Sequence, residues 1–242
     1  MRGVLLQEDR GGQALNYISL VWTVARKDLV LELRTLERLI AMGAFAVLVG
    51  VLFQFSIDTS MIRVQTIAPS LIWMTTVFAG ILGLGRTYII ESENKALAGV
   101  LQSPVALDVI YLGKVVSNFI LLLLVMTLIL IVFSLFFNLS FPIEIKGWLS
   151  LAGVFFLGVL CFVSIMTLLS AVAVNNTMGE SIIPVLVFPL LVPVMIHAVT
   201  ATNRIFANRP FVEIEGNLRM LSAMVLIFLM LGANLFRFAI ED

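Results

Sequence analysis

The sequence is short of charged residues. Only 12% of its 242 residues are charged, whereas 61% are hydrophobic. Because a soluble domain carries about 25% charged residues, this composition excludes an ordinary soluble protein and indicates an integral membrane protein. The formal net charge is zero, so nothing in the overall charge points to a nucleic-acid partner.

The sequence also has few residues that could do chemistry. It has one cysteine, Cys161, which cannot form an internal disulfide, and one histidine, His197. Its apolar runs hold almost no ionisable groups, although proton- and ion-coupled transporters use carboxylates or histidines there. The usual acid, base and nucleophile sets of an enzyme are missing as well. We therefore predict no catalytic residue and no metal site, and any uphill transport would need energy from another subunit.

Long apolar runs are what the sequence has in abundance. Six of them reach the roughly 20 residues that a membrane-spanning helix needs, and the short alternating strands of a barrel are absent. The predicted fold class is therefore all-α, a polytopic membrane protein with one six-span domain over residues 39–240. The predicted spans are 39–57, 67–85, 115–137, 148–174, 181–201 and 218–240.

The lysines and arginines predict the orientation of these spans. Ten of the 15 fall on the side that holds the N-terminal segment, the 86–114 loop and the C-terminus, and five fall on the other side. Since basic residues are enriched in cytoplasmic segments, both termini and the 86–114 loop are predicted to be cytoplasmic.

The segment before the first span predicts two regions. Residues 1–16 are expected to be a flexible N-terminus, and residues 17–38 an amphipathic helix lying in the cytoplasmic interface of the bilayer. Its apolar positions recur at helical spacing, and Trp22 suits the headgroup level. The alternative is a solvated helical lead-in. The apolar set is Ile18, Val21, Trp22, Ala25, Leu29, Leu33 and Leu36; the charged set is Arg26, Lys27, Glu32, Arg34, Glu37 and Arg38.

The polar 86–114 loop is patterned to fold. Residues 91–102 can form a short helix with a small apolar face, and Ser103 and Pro104 suit the N-cap and first position of a second helix that runs into span three. Such an arrangement suits docking of a cytoplasmic partner, although an ordered loop that merely joins two spans fits equally well on these grounds. The candidate docking residues are Glu91, Glu93, Leu97, Val100, Leu101, Ser103 and Pro104.

A glycine-rich stretch lies at the end of span two. The stretch Gly80–Thr87, "GILGLGRT", nearly matches a phosphate-binding loop. That motif works only between a strand and a helix, so we predict close helix packing instead.

In span five, Pro184, Pro189 and Pro193 are expected to bend the helix and could line a path or be purely structural. His197, near the outer end of this span, is either a haem or metal ligand, a polar residue hydrogen-bonded at the interface, or a species-specific substitution.

Three stretches of the chain resemble one family. The stretch 78–114, "FAGILGLGRTYIIESENKALAGVLQSPVALDVIYLGK", is similar to the signature region of haem exporter protein B, the membrane subunit of the cytochrome c maturation ABC transporter. Residues 27–39 and 175–199 are similar to two further blocks of that family. The resemblance runs from about residue 17 to the C-terminus. The chain departs from it at Ala106 and Leu107, where many members have an acidic–basic pair.

The resemblance implies a fold, partners and a location. It implies a half-transporter like those of type-2 ABC exporters, in which two copies pair with two cytoplasmic ATPase subunits in a bacterial-type inner membrane. The loop helix at 91–102 would be the coupling helix that meets the ATPase, which supplies ATP hydrolysis. Other maturation subunits, including a haem-handling protein, would be partners, and haem is a candidate cargo rather than a bound cofactor.

Two other functions stay open at this point. One keeps the ABC architecture but exports a lipid, a polysaccharide or a drug. The other is a non-transporting assembly protein that scaffolds other membrane subunits.

Overall fold

The computed structural model describes residues 2–58, 63–85, 87–88, 105–139, 141–142, 144–174 and 179–241. These residues form seven helices and no strand, which confirms the all-α prediction for this part of the chain. The helices are α1 (Arg2–Thr35), α2 (Glu37–Ser56), α3 (Val64–Leu84), α4 (Leu107–Phe137), α5 (Ile145–Val174), α6 (Gly179–Phe206) and α7 (Phe211–Glu241).

Six of these helices, α2 to α7, are long and apolar enough to cross a membrane. The predicted number of spans is thereby confirmed. The helices extend beyond the predicted spans by up to two turns at some ends. Helix α4 begins at Leu107 rather than near residue 115, because a helix can continue past the apolar run that crosses the lipid.

Helices α4 and α5 form the centre of the bundle. Helix α5 packs against α3, α4, α6 and α7, and α4 packs against α1, α2, α3, α5 and α7. Small residues allow this close approach: Gly80 on α3 faces the ring of Phe162, and Gly158 on α5 faces the ring of Trp73. Gly83 likewise faces Met42. The predicted packing role of the span-two glycines is confirmed.

The two ends of the bundle differ in content. One end, here called the α1 end, holds α1, residues 87–88, the start of α4 and the last turns of α7. The other end, here called the far end, holds the connections that follow α2, α4 and α6. Helix α1 and the last turns of α7 therefore lie at the same end of the bundle, as expected for a chain that crosses it six times.

A sharp corner separates α1 from α2. Helix α1 ends at Thr35, Leu36 has a left-handed backbone (φ 54°, ψ 12°), and α2 begins at Glu37. The break thus falls slightly before the predicted boundary between residues 38 and 39. Helix α1 also extends back to Arg2, ahead of the boundary predicted at residue 17, and the flexibility of residues 1–16 stays a prediction.

Helix α1 has two distinct faces. Ile18, Trp22 and Leu33 are more than half exposed on the side turned away from the bundle, where an apolar face is available to lipid. On the opposite side, Asp28 and Glu32 are buried. The sequence analysis grouped Glu32 with the charged face of the helix. That assignment was wrong, because the Glu32 carboxylate is buried and accepts hydrogen bonds from the start of α2.

Candidate functional site

A buried ion pair joins α1 to α4. Lys114 Nζ lies 3.1 Å from Asp28 Oδ2, and both side chains are more than nine-tenths buried. Lys27 on the same turn of α1 lies 3.3 Å from the other carboxylate oxygen of Asp28. The helices meet closely here because Gly113 has no side chain: a Cβ at this position would lie 2.6 Å from Val24 Cβ. The pair therefore fixes the position of α1 on the start of α4.

Glu32 holds the corner between α1 and α2. Its Oε1 accepts hydrogen bonds from the backbone N–H groups of Arg38 (3.0 Å) and Leu39 (3.1 Å). Arg38 Nε donates to Oε2 at 2.6 Å. The first N–H groups of a helix lack partners within the helix, and a negative charge there is favourable. Glu32 thus caps α2 from the preceding helix.

Asn118 connects this corner to the start of the 86–114 loop. Arg38 Nη1 donates to Asn118 Oδ1 at 3.4 Å. Asn118 Nδ2 in turn donates to Thr87 Oγ1 (3.3 Å) and Thr167 Oγ1 (3.1 Å). One buried amide on α4 therefore links α2, α5 and the residues that follow α3.

Ser170 on α5 holds the same part of the loop from the other side. Its hydroxyl donates to the carbonyl of Gly85 at 2.9 Å and accepts from the backbone N–H of Tyr88 at 3.3 Å. The ring of Tyr88 lies beneath Lys114 Nζ, 5.0 Å from the ring centroid, and packs on Phe236 of α7. A cation over an aromatic face is attracted to it, so Tyr88 adds to the attachment.

Tyr17 ties α1 to the other end of the loop. Its hydroxyl donates to Asp108 Oδ2 at 2.8 Å, in the first turn of α4. Burial, together with this hydrogen bond and the charge of Asp108, raises the pKa of Tyr17 to about 12. The hydroxyl therefore stays protonated near neutral pH and remains a donor to the carboxylate.

We call these contacts the anchor network. Its members are Tyr17, Asp28, Glu32, Arg38, Thr87, Tyr88, Asp108, Lys114, Asn118, Thr167 and Ser170. They join both ends of the 86–114 loop to α1, α2 and α5. Within the described residues, no group of three or more His, Cys, Asp or Glu could hold a metal ion. The arrangement therefore holds α1, α2, α4 and α5 together at the α1 end of the bundle.

The predicted docking residues lie outside the described part of the chain. They are Glu91, Glu93, Leu97, Val100, Leu101, Ser103 and Pro104, and their role stays a prediction. One detail was wrong: the helix that enters span three begins at Leu107 with Ala106 as its N-cap residue. It does not begin at Ser103 and Pro104, because Ala106 has an extended backbone (φ −62°, ψ 142°).

The three prolines all lie inside α6, which runs from Gly179 to Phe206. Pro184 is half-buried, whereas Pro189 and Pro193 are exposed on the surface of the chain. Their predicted role in bending the span or lining a path remains a prediction.

His197 has a partner on α7. Its Nδ1 lies 3.1 Å from Asn217 Oδ1, and Asn217 is 8% exposed. The geometry fits the hydrogen-bonded polar residue that was the alternative to a haem ligand, and the ligand role stays a prediction.

The sequence interpretation missed the buried polar residues of the anchor network. Lys114 was used only for orientation, and Asn118 was passed over as part of span three. A signal was present: Asp28 and Glu32 follow Val21 and Ala25 at helical spacing, so two acids continue an apolar stripe. Lys114 and Asn118 have the same four-residue spacing, which puts both on one face of a helix.

A family model supplies the remaining finding. The family described as "CcmB protein" matches residues 19–241. This chain belongs to the CcmB family. The match begins in α1 and includes all six spans, so the anchor network lies almost entirely within the family region.

Two curated relatives have the same extent. Heme exporter protein B of Haemophilus influenzae is 25% identical over 202 residues, which cover 84% of this chain and 88% of the relative. Heme exporter protein B of Bradyrhizobium diazoefficiens is 23% identical over 207 residues, covering 86% and 90% respectively. The chain therefore corresponds to nearly the full length of both proteins.

Proposed function

We propose that this CcmB-family chain is the permease subunit of an ABC transporter for cytochrome c maturation. The match to the family over residues 19–241 carries the proposal. The two relatives are named heme exporters. The chain would act in export of haem or in ATP-driven release of a haem-loaded carrier. It is not itself an enzyme, and a separate ATPase subunit would hydrolyse ATP.

The proposed mechanism is mechanical. Closure of the ATPase dimer would push the loop helix at 91–102, with Glu91, Glu93 and Leu97 in contact with the ATPase. The anchor network supports this route because Thr87 and Tyr88 at one end of the loop, and Asp108 and Lys114 at the other, bond to neighbouring helices. Differential nucleotide binding would supply the free energy of the shift between two states.

In this proposal α1 moves together with the loop. Asp28 and Tyr17 attach α1 to the start of α4, and Glu32 attaches it to the start of α2. A displacement of the loop would therefore reach the first and third spans together. The exposed apolar face of α1 would slide along the inner surface of the bilayer.

A second copy of the chain would complete the transporter. Pro189 and Pro193 are exposed on α6, so a bend in this helix would alter the outer surface of the subunit more than its core. This supports a path that lies between two copies. The complex would reside in a bacterial-type inner membrane with both termini in the cytoplasm, beside other maturation subunits that handle haem.

The deciding experiment is a haem-peroxidase stain of membrane and soluble proteins from a strain that lacks this chain. We expect cytochromes c with covalent haem to disappear and to return when the gene is restored. Normal staining in the deletion strain, with no second copy of the gene present, would contradict the haem assignment. It would instead favour export of a lipid, a polysaccharide or a drug.

A further inference from the structure

A polar cavity lies at the far end of the bundle, away from the anchor network. Its volume is about 590 Å³. It lies between the start of α5, the connection that follows α6 and the start of α7. The lining residues that carry charge are Glu144, Lys146 and Arg209. The cavity therefore has two cations and one carboxylate.

The cations of this cavity are available to a ligand. Lys146 and Arg209 are exposed. Among the described residues, no carboxylate oxygen lies within 4.0 Å of the Lys146 ammonium group or the Arg209 guanidinium group. Lysine and arginine are the side chains that bind phosphate oxygens, arginine through two parallel hydrogen bonds. With Glu144 counted, the charged side chains that line the cavity sum to one positive charge.

The backbone around the cavity favours the same kind of ligand. Lys146 and Gly147 lie in the first turn of α5, and Phe211 and Ile214 lie in the first turns of α7. Two long helices thus begin at one cavity. Because the start of a helix carries a partial positive charge, both helices add to the attraction that the two cations exert on an anion.

The surroundings of the cavity are apolar. Ile145 is 84% exposed, Leu149 is 76% exposed and Val212 is 79% exposed. Trp148, which is half-exposed, stacks on Phe141 with ring centroids 5.2 Å apart. Tryptophan is enriched at membrane–water interfaces, so in a membrane this end of the bundle would lie near the headgroups, with exposed side chains beside the cavity that suit acyl chains.

We propose that this cavity binds the phosphate of an anionic phospholipid headgroup. The two cations and the two helix starts would hold the phosphate, and the apolar first turns of α5 and α7 would contact the acyl chains. A single net positive charge matches a headgroup with one negative charge, such as phosphatidylglycerol. Basic pockets between membrane helices are known to bind anionic headgroups.

The test measures lipid binding by the purified full-length chain in detergent, with phosphatidylglycerol and phosphatidylcholine as the probes and native mass spectrometry as the readout. We expect phosphatidylglycerol to bind at least about tenfold more tightly than phosphatidylcholine, a difference of about 1.4 kcal/mol. The Lys146→Gln/Arg209→Gln variant should lose that preference, because it lacks the two cations that would hold the phosphate. Glu144→Gln should strengthen binding of phosphatidylglycerol.

Arg63→Gln is the matched control, because Arg63 is exposed at the same end and does not line the cavity. It should leave the preference unchanged. The proposal is overturned if the double variant keeps the preference, if Arg63→Gln loses as much, or if Glu144→Gln weakens binding. Displacement of the lipid by an equal concentration of inorganic phosphate would identify a free-anion site instead. Because the readout is lipid binding, its failure is distinct from failure of the transport proposal.

Discussion

Asp28 and Lys114 lie 86 positions apart in the sequence, yet Asp28 Oδ2 and Lys114 Nζ are 3.1 Å apart and buried. Loss of one partner of a buried ion pair costs about 3–5 kcal/mol, because the other charge is left uncompensated. We expect Asp28→Asn to lower the free energy of unfolding, because Lys114 Nζ loses the carboxylate oxygen that lies 3.1 Å from it. Lys114→Met should cost less, because Lys27 lies 3.3 Å from Asp28 Oδ1 and remains as its partner.

Thermal unfolding of the purified variants would check the order of these effects. The Asp28→Leu/Lys114→Met variant, which removes both charges, should recover much of the lost stability. If the anchor network transmits motion, this double variant should still assemble fewer cytochromes c. Equal stability of Asp28→Asn and the wild type would show that the ion pair is not formed.

Gly113 gives a second prediction, on the approach of α1 to α4. Gly113→Ala places a Cβ 2.6 Å from Val24 Cβ and 3.1 Å from the carbonyl oxygen of Val21. We expect a loss of about 1–3 kcal/mol in unfolding free energy, as for an overpacked contact, and partial rescue by Val24→Ala. Gly216→Ala is the control, because its added Cβ meets nothing within 4 Å. A Gly113→Ala protein as stable as the control would contradict the close packing.

The loop gives a third prediction, on ATPase docking. Reversal of both charges by Glu91→Lys/Glu93→Lys should weaken association with the ATPase subunit and reduce cytochrome c assembly, because charge complementarity at the contact would be lost. Co-purification of the two subunits measures the first effect and haem staining the second. The matched control reverses Glu213 and Glu215, which lie at the far end of the bundle. Unchanged association in the loop variant would show that the docking assignment is wrong.

The prolines of α6 give a fourth prediction. Pro189→Ala/Pro193→Ala restores two backbone N–H donors, and both positions are exposed, so we expect stability to be retained or raised. If these prolines set a functional bend, haem staining should fall although the protein accumulates normally. Val185→Ala/Val192→Ala removes exposed side chains from the same helix without changing its backbone. Equal haem staining in both variants would assign the prolines a purely structural role.

His197 gives a fifth prediction. Glutamine can donate the hydrogen bond that joins His197 Nδ1 to Asn217 Oδ1 at 3.1 Å, but it is a poor ligand for haem iron. We expect His197→Gln to retain cytochrome c assembly, and haem staining measures it. Loss of staining with a normal level of the variant protein would support the haem-ligand role.

The sequence predicted the spans because lipid enforces a simple rule: about 20 apolar residues per helix. The glycines of span two were readable for a similar reason, since Gly80 and Gly83 on an apolar helix favour close packing. The start of α4 was predicted incorrectly because Ser103 and Pro104 fit a helix start locally, whereas Ala106 sets the break. Local sequence preferences do not show at which of several adjacent residues the tertiary contacts make a helix begin.

The anchor network was harder to predict because each of its bonds joins distant segments. Nothing near Asp28 in the sequence indicates that its partner is Lys114, and nothing near Asn118 indicates Thr87 or Thr167. Charged residues on an amphipathic helix usually face water, so Glu32 was assigned to the wrong face. Only the three-dimensional arrangement shows that the bundle uses this carboxylate to cap α2.

The pair of Asp28 and Lys114 also bears on how the chain enters the membrane. Basic residues set the orientation of a span during insertion, whereas acidic residues contribute little. In the proposed orientation Lys114 would therefore act first as a signal for the orientation of span three during insertion. Asp28 is synthesised earlier, and the lysine would meet it only when α4 packs onto α1. The same ammonium group would direct insertion at first and then become an internal counter-ion, so we expect a substitution of Lys114 to affect both the biogenesis and the final fold.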